Sequence, residues 1–305
     1  MRDQLQKLLD QRVRQCVSQE RDSLHECEVI ERKKESCAKR SAEIVKANAT
    51  GRIITITEHE ELTDVLYNVH FQYLIKQKGQ FYLEEEVEQR KAEFYKGVLV
   101  EEDTDSDQYD LRTAEVPDYN LLGFRADRSI DEFQPSSDEV GRPYGYDRRK
   151  AVQYAERWWN DYNPAYKKFD VDCSNYISQC LHAGGAPMTG YPNRGKGWWM
   201  MKNNWSFSWS VANALRWYLT SSKAGLRANE VKSPDELLPG DVICYDFQGD
   251  GRFDHTTIVT AKDAYGMPLV NAHTHNSRLR YWAYQDSTAY TPQIKYKFFS
   301  IVDDQ

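Results

Sequence analysis

The sequence predicts an α+β protein in two parts. Residues 1–140 read as N-terminal helices with a small antiparallel sheet, and residues 141–305 as a domain in which a cysteine-bearing helix packs on a second antiparallel sheet. Three patterns lead there. Leu5, Leu8, Leu9, Val13, Cys16 and Val17 recur at three and four, Val65 to Ile75 alternate at two, and Cys173 opens a helical run with β-branched segments downstream. A chain of 305 residues is longer than one core usually serves, which favours two domains.

The first helix is expected because residues 2–48 hold neither Gly nor Pro and their apolar positions form one stripe. Ser23-Leu24-His25-Glu26 matches a capping box, in which Ser and Glu satisfy free amides reciprocally, so a second helix starting near Ser23 competes with one continuous rod. Val65, Tyr67, Val69, Phe71, Tyr73 and Ile75 then alternate with mostly polar partners, and Lys78-Gly79 turns the chain into a second strand. A helix laid on the apolar face of such strands gives an α+β unit. The acidic run 101–107 reads as a solvated loop, since calcium needs oxygens at a defined spacing. Pro135, Ser136, Ser137, Gly141, Pro143 and Gly145 mark a linker, with the boundary near residue 140.

Asp147 is placed to cap a helix whose face is Ala151, Val152, Ala155, Trp158 and Trp159, stopped by Asn163-Pro164. Asp172 is placed to cap the next. Tyr176, Ile177, Cys180 and Leu181 continue from Cys173 on one face until Gly184-Gly185. Leu238 to Tyr245 reads as a turn into a buried strand, His255 to Thr260 as the next, and Ala264-Tyr265-Gly266 as a turn into Pro268 to Asn271.

Composition excludes several functions. A formal charge of -7 argues against a nucleic-acid partner, because phosphate binding draws on clustered Lys and Arg. No apolar run reaches the ~20 residues of a membrane helix, and the charged start lacks the apolar core of an export signal, so a cytoplasmic protein without a membrane partner is expected. The six cysteines at 16, 27, 37, 173, 180 and 244 show no CxxC spacing and read as reduced thiols, with no cofactor or metal signature. Asp246, Gln248, Asp250 and Asp254 lack the downstream bidentate Glu of a calcium loop and read as a turn. A zinc site from His255, His273 and His275 would leave Cys173 unexplained.

The chemistry centres on Cys173. A thiol at a helix N-terminus beside a histidine is expected to ionise readily, because the helix dipole and the imidazole both favour the thiolate. His255, opening a strand, is the expected base, and Asn271 on the neighbouring strand its orienter; His273, two residues on, is the alternative orienter. Asp172 supports the nucleophile, and Tyr166, shortly before it, is a candidate oxyanion donor. Trp198, Trp199, Trp205 and Trp209 read mainly as core mass, with a groove lining as the alternative.

These residues resemble the papain-like cysteine hydrolases of the NlpC type, whose nucleophile segment reads Asp-Cys-Ser-Gly-Phe ahead of a Leu-x-Pro-Gly-Asp strand. The resemblance to the bacterial family named "putative amidase domain" is closer. It runs through Asp172-Cys173, Ser178-Gln179, Ala183-Gly184-Gly185, Trp198 to Trp209, Pro239-Gly240-Asp241 and Asp250-Gly251 ahead of Asp254-His255-Thr256, covering about Tyr146 to Ile301. Asn175 stands where the NlpC pattern has Gly, and Asn271 where it has a third His. The resemblance implies a papain-like fold, Cys173 as nucleophile, His255 as base, and an amide or peptide substrate, a cell-wall peptide among the candidates. A cysteine-dependent amidohydrolase working through a thioester is therefore expected. The alternatives are a non-catalytic module binding a peptide or wall fragment on the same scaffold, and an acyl transferase.

Overall fold

The computed structural model describes residues 1–18, 28–104 and 144–304. Helix α1 (Arg2–Val17) buries Leu5, Leu9 and Cys16 against the strand residues Val65, Val69, Phe71 and Ile75, as the apolar stripe requires. Helix α2 spans Glu28–Lys39; Ser23, its capping box and Cys27 lie outside the described residues. Strands β1 (Ala42–His59), β2 (Leu62–Gln77), β3 (Gln80–Tyr95) and β4 (Val98–Thr104) follow. The first strand starts at Ala42, so the Gly- and Pro-free stretch does not stay helical to residue 48. Residues 42–49 instead pair with 71–77 of β2, and this long-range ladder overrides local preference. At the tips, Lys78-Gly79 and Lys96-Gly97 take positive φ at both positions, the geometry a two-residue hairpin demands.

The second part holds α3 (Arg148–Trp158), α4 (Cys173–Ala183), the short pair β5 (Met200–Met201) and β6 (Asn204–Trp205), α5 (Phe207–Ser210) and α6 (Ala212–Ser221). Strands β7 (Ala228–Val231), β8 (Val242–Asp246), β9 (His255–Lys262), β10 (Pro268–Ala272), β11 (Ser277–Tyr281) and β12 (Lys295–Ile301) complete it. Asp147 caps α3 by accepting from the Lys150 amide at 3.0 Å, but the helix ends at Trp158, well before Asn163-Pro164. Helix α4 closes on Gly184, where a Cβ would stand 2.5 Å from a Tyr146 ring carbon; only glycine permits that approach. Among the described residues no helix is long and apolar enough to cross a membrane.

The architecture is α+β, with antiparallel pairing throughout the described sheets. One large sheet runs β1-β2-β3-β11-β10-β9-β8-β12-β7, with β4 on β3. It joins the two parts of the chain through Ser277↔Glu86 and Arg278↔Glu85; the linker read at 134–145 lies almost wholly outside the described residues. Charge reinforces the seam. The Lys33 ammonium lies 2.6 Å from Glu84, 2.9 Å from Glu86 and 2.8 Å from Asp286, all buried, while Arg280 stands 3.2 Å from Asp286.

Alternation at two splits the β8–β9 region into faces. Val242, Cys244 and Ile258 join Tyr176, Ile177, Cys180, Leu181 and the indoles of Trp198 and Trp209 in a core under the helices. Ile243, Tyr245 and Val259 face the other way and pack with Tyr284 and Phe298.

Candidate active site

Helix α4 is buried along its first nine residues, Cys173 to Leu181, which fixes its N-terminus against the sheet. The side chain of Asp172 does not cap it. One carboxylate oxygen accepts from the Phe169 amide and the Asn175 side-chain NH2, both at 2.9 Å, and the other meets Nδ1 of His273 at 2.9 Å. Asp172 thus ties the segment before α4 to the end of β10.

Cys173 is only 2% exposed. Its sulfur lies 3.8 Å from the Ser174 hydroxyl, which in turn sits 3.2 Å from the Thr256 hydroxyl. The expected readily ionised thiol is not what this environment gives: burial pushes the thiol up, and hydrogen bonds from Ser174 and Thr256 offset only part of that.

His255 stands on the other face of the sheet. It pairs directly across from Tyr245, and its ring centroid lies 5.7 Å from that of Tyr245 and 5.5 Å from that of Tyr284. Thr256, the next residue, faces the sulfur, so successive side chains of β9 serve opposite sides. Among the described residues no hydrogen bond joins Cys173 to His255, and Nδ1 of His255 is buried without a partner. Burial keeps the ring neutral, holding its pKa down at about 3, with His275 and Arg280 adding to the effect.

Asn271 is not brought to His255. Its oxygen accepts from Thr260 and the Leu279 amide, each at 2.9 Å, and its NH2 donates to Glu156 of α3 at 2.8 Å. His273, the alternative orienter, lies on the helical side, stacked on Tyr176 with centroids 3.9 Å apart. Its Nε2 donates to the Trp158 carbonyl at 2.7 Å while Nδ1 faces Asp172, so both ring nitrogens are engaged. Tyr166 stacks on Trp209 at 6.0 Å and borders a recess beside α4. Trp198, Trp199 and Trp209 are fully buried core, and Trp205 is half-buried.

Sequence reasoning missed Ser174 and Thr256 as the groups against the sulfur, and Asp172 as the partner of His273. Only the placement of Thr256 directly after His255 hinted at the first. The Asp246 turn is filled by the chain itself, since its carboxylate accepts from the amides of Gly249, Asp250 and Gly251.

A buried helix headed by Cys173 and packed on an antiparallel sheet places these residues in an α+β protein. Residues 145–299 match the family described as "putative amidase domain", and the chain belongs to that family. It is 53% identical over 281 residues to the uncharacterized protein YhbB of Bacillus subtilis (strain 168), covering 90% of this chain and 86% of that one. The uncharacterized protein YjcM of the same organism is 32% identical over 127 residues, 39% of this chain and 28% of its own length. No solved structure matches the chain.

Proposed function

We propose that the protein hydrolyses an amide or peptide bond through Cys173, with His255 taking and returning the proton. Membership of an amidase-named family supports the reaction class. The observation that carries the residue assignment is Nδ1 of His255, a buried ring nitrogen without a partner among the described residues. It belongs to the residue adjoining Thr256, whose hydroxyl sits 3.2 Å from the Ser174 hydroxyl that lies against the sulfur. A buried polar atom left unpaired is costly, and such costs collect at working sites. His273 is on the sulfur's side of the sheet, but its engaged nitrogens make it a positioning residue that holds Asp172 and the start of α4.

The resting pair is a neutral thiol and a neutral imidazole. Because His255 pairs with Tyr245 on the face away from the sulfur, the backbone at Asp254-His255, where β9 opens, has to reorient when substrate enters and bring the ring round the strand end to the sulfur's side. As sulfur bonds to the carbonyl carbon its proton passes to His255, and the carbonyl electron pair moves to oxygen near the free amides of the first turn of α4. The C–N bond then breaks as His255 protonates the leaving amine, and water converts the thioester to a carboxylic acid and the free thiol.

Two substitutions test the assignment on an anilide substrate. His255→Ala is expected to lower kcat by about 100-fold or more with the fold intact. His273→Asn should give a smaller loss that follows a drop in Tm. With His255 held near 3 and the thiol pushed up, neither group titrates through the neutral range, so kcat/KM should stay flat from about pH 5 to about pH 8. Full activity in His255→Ala would refute the assignment.

The burial of Cys173 favours a second reading, a non-catalytic module that binds its ligand beside α4. Tight binding of an amide that neither the wild type nor any variant cleaves would select it.

A further inference from the structure

The proposed chemistry needs α4 to present Cys173 and its first free amides in a fixed place, and the residue that sets that place is Asp172. Every polar group of Asp172 is engaged. Its carbonyl accepts from the Tyr176 amide at 2.9 Å, which opens α4, and its carboxylate is held by Phe169, Asn175 and His273. Its amide donates to the Thr274 hydroxyl at 3.2 Å. Two consecutive residues of the turn between β10 and β11 therefore grip Asp172, which is 1% exposed, one through its side chain and one through its main chain.

Consecutive side chains of an extended strand point to opposite faces, so His273 and Thr274 both reach Asp172 because the chain leaves β10 in a left-handed bend. Thr274 has a φ of 82°. Among the described residues it is the one β-branched residue at positive φ, and it lies beyond the 48–55° of the other non-glycine residues there. Branching at Cβ crowds that region, glycine fits it freely, and a strained residue of this kind persists where its surroundings hold it. The hydrogen bond that the Thr274 side chain makes is the one to Asp172. The turn itself is held from two sides: the His273 ring donates to the Trp158 carbonyl at the end of α3, and the Asn276 carbonyl accepts from the Val87 amide of β3 at 2.8 Å.

We propose that Thr274 is a positioning residue for Cys173, its hydroxyl locking the Asp172 amide and with it the head of α4. The strained backbone places that hydroxyl, and through Asn276 and Val87 the N-terminal sheet buttresses the same lock. That the lock serves a reaction rests on the hydrolase reading; that it fixes the head of α4 does not.

Three variants of the full chain separate the hydroxyl from the branched backbone. Thr274→Gly removes both, Thr274→Val removes the hydroxyl and keeps the branch, and Thr274→Ser keeps the hydroxyl. Hydrogen exchange of the peptide containing Asp172 reads the lock without any substrate: about tenfold faster exchange of that amide is expected in Thr274→Gly and Thr274→Val, and the wild-type rate in Thr274→Ser. On the anilide substrate, kcat should fall about tenfold in the first two with KM within about twofold, and return to within about threefold of wild type in Thr274→Ser. Tm should follow the branch instead, with Thr274→Gly within about 4 °C of wild type and Thr274→Val below it. Wild-type exchange in Thr274→Gly, an equal loss of kcat in Thr274→Ser, or a kcat that tracks Tm across the series would overturn the lock. Unchanged kcat in Thr274→Gly while Cys173→Ala is inactive removes the positioning role alone. Hydrolysis absent from the wild type, or surviving Cys173→Ala, removes the hydrolase reading alone, and the exchange rates then uphold or overturn the lock by themselves.

Discussion

Cys173→Ala is expected to abolish amide hydrolysis, a loss of about 1,000-fold or more, while leaving the protein folded. The kinetic loss is large because no other group against that position replaces the sulfur: Ser174 and Thr256 are hydroxyls bonded to one another. Stability should change little. Removing one buried sulfur costs about 1 kcal/mol, a shift in Tm of about 2–4 °C for a chain of this size. Cys173→Ser should also be inactive, since a serine hydroxyl is a far weaker nucleophile beside a neutral imidazole. Turnover numbers and melting curves on the same preparations decide it; a variant with wild-type turnover means that the reaction does not pass through this sulfur.

The largest loss of stability is expected from Lys33→Met, about 3–5 kcal/mol. The ammonium lies within 2.9 Å of three buried carboxylates, and its removal leaves Glu84, Glu86 and Asp286 to repel one another, with the guanidiniums of Arg280 and Arg40 the remaining cations paired with them among the described residues. Burial opposes the charge on Lys33, but Asp286, Glu84 and Glu86 together outweigh it and raise its pKa well above the ordinary lysine value. Its contribution is therefore complete below about pH 10.5 and disappears only as pH rises through the raised folded value.

Asp286 runs the other way. Burial opposes its charge too, but Arg280 and Lys33 hold its carboxyl far below the usual range, so it stabilises the fold above about pH 4 and that contribution is lost as pH falls toward the folded value. Burial pushes Glu84 up even beside Lys33, so in the Lys33→Met variant Glu84 should be the first group to take a proton. The stability gap to wild type is accordingly expected to narrow on acidification, and Glu84→Gln on the Lys33→Met background should restore part of it. Urea denaturation at several pH values measures this. A loss below about 1 kcal/mol at neutral pH would show that the cluster is not holding β3 to the rest of the sheet.

That cluster also shows where sequence reasoning stops. The alternation from Val65 to Ile75, the turn at Lys78-Gly79, the apolar run of α4 and the short buried runs of β8, β9 and β10 are local patterns, legible from apolar spacing and turn residues within a few positions of each other. Joining β3 to β11 depends on residues almost 200 positions apart, and nothing in either strand announces its partner.

The candidate site failed to be legible for a related reason. A strand that opens Asp254-His255-Thr256 offers two side chains to two faces, and the pairing of Tyr245 with His255 decides which goes where. Asn271 looked free to orient a histidine until Glu156, 115 positions earlier, claimed its NH2. Asp172 looked like a helix cap until His273 and Asn175 claimed its carboxylate. The position of Cys173 at the head of α4 was readable because it is a local property of the helix.

Intact-mass spectrometry of the wild-type protein, quenched in acid during turnover of an anilide substrate, detects whether an acyl group is carried on Cys173. Reaction through the thioester gives a species heavier by the acyl group, released by hydroxylamine and mapped to the peptide containing Cys173. Steady turnover with no such adduct, or an adduct on another cysteine, would contradict it.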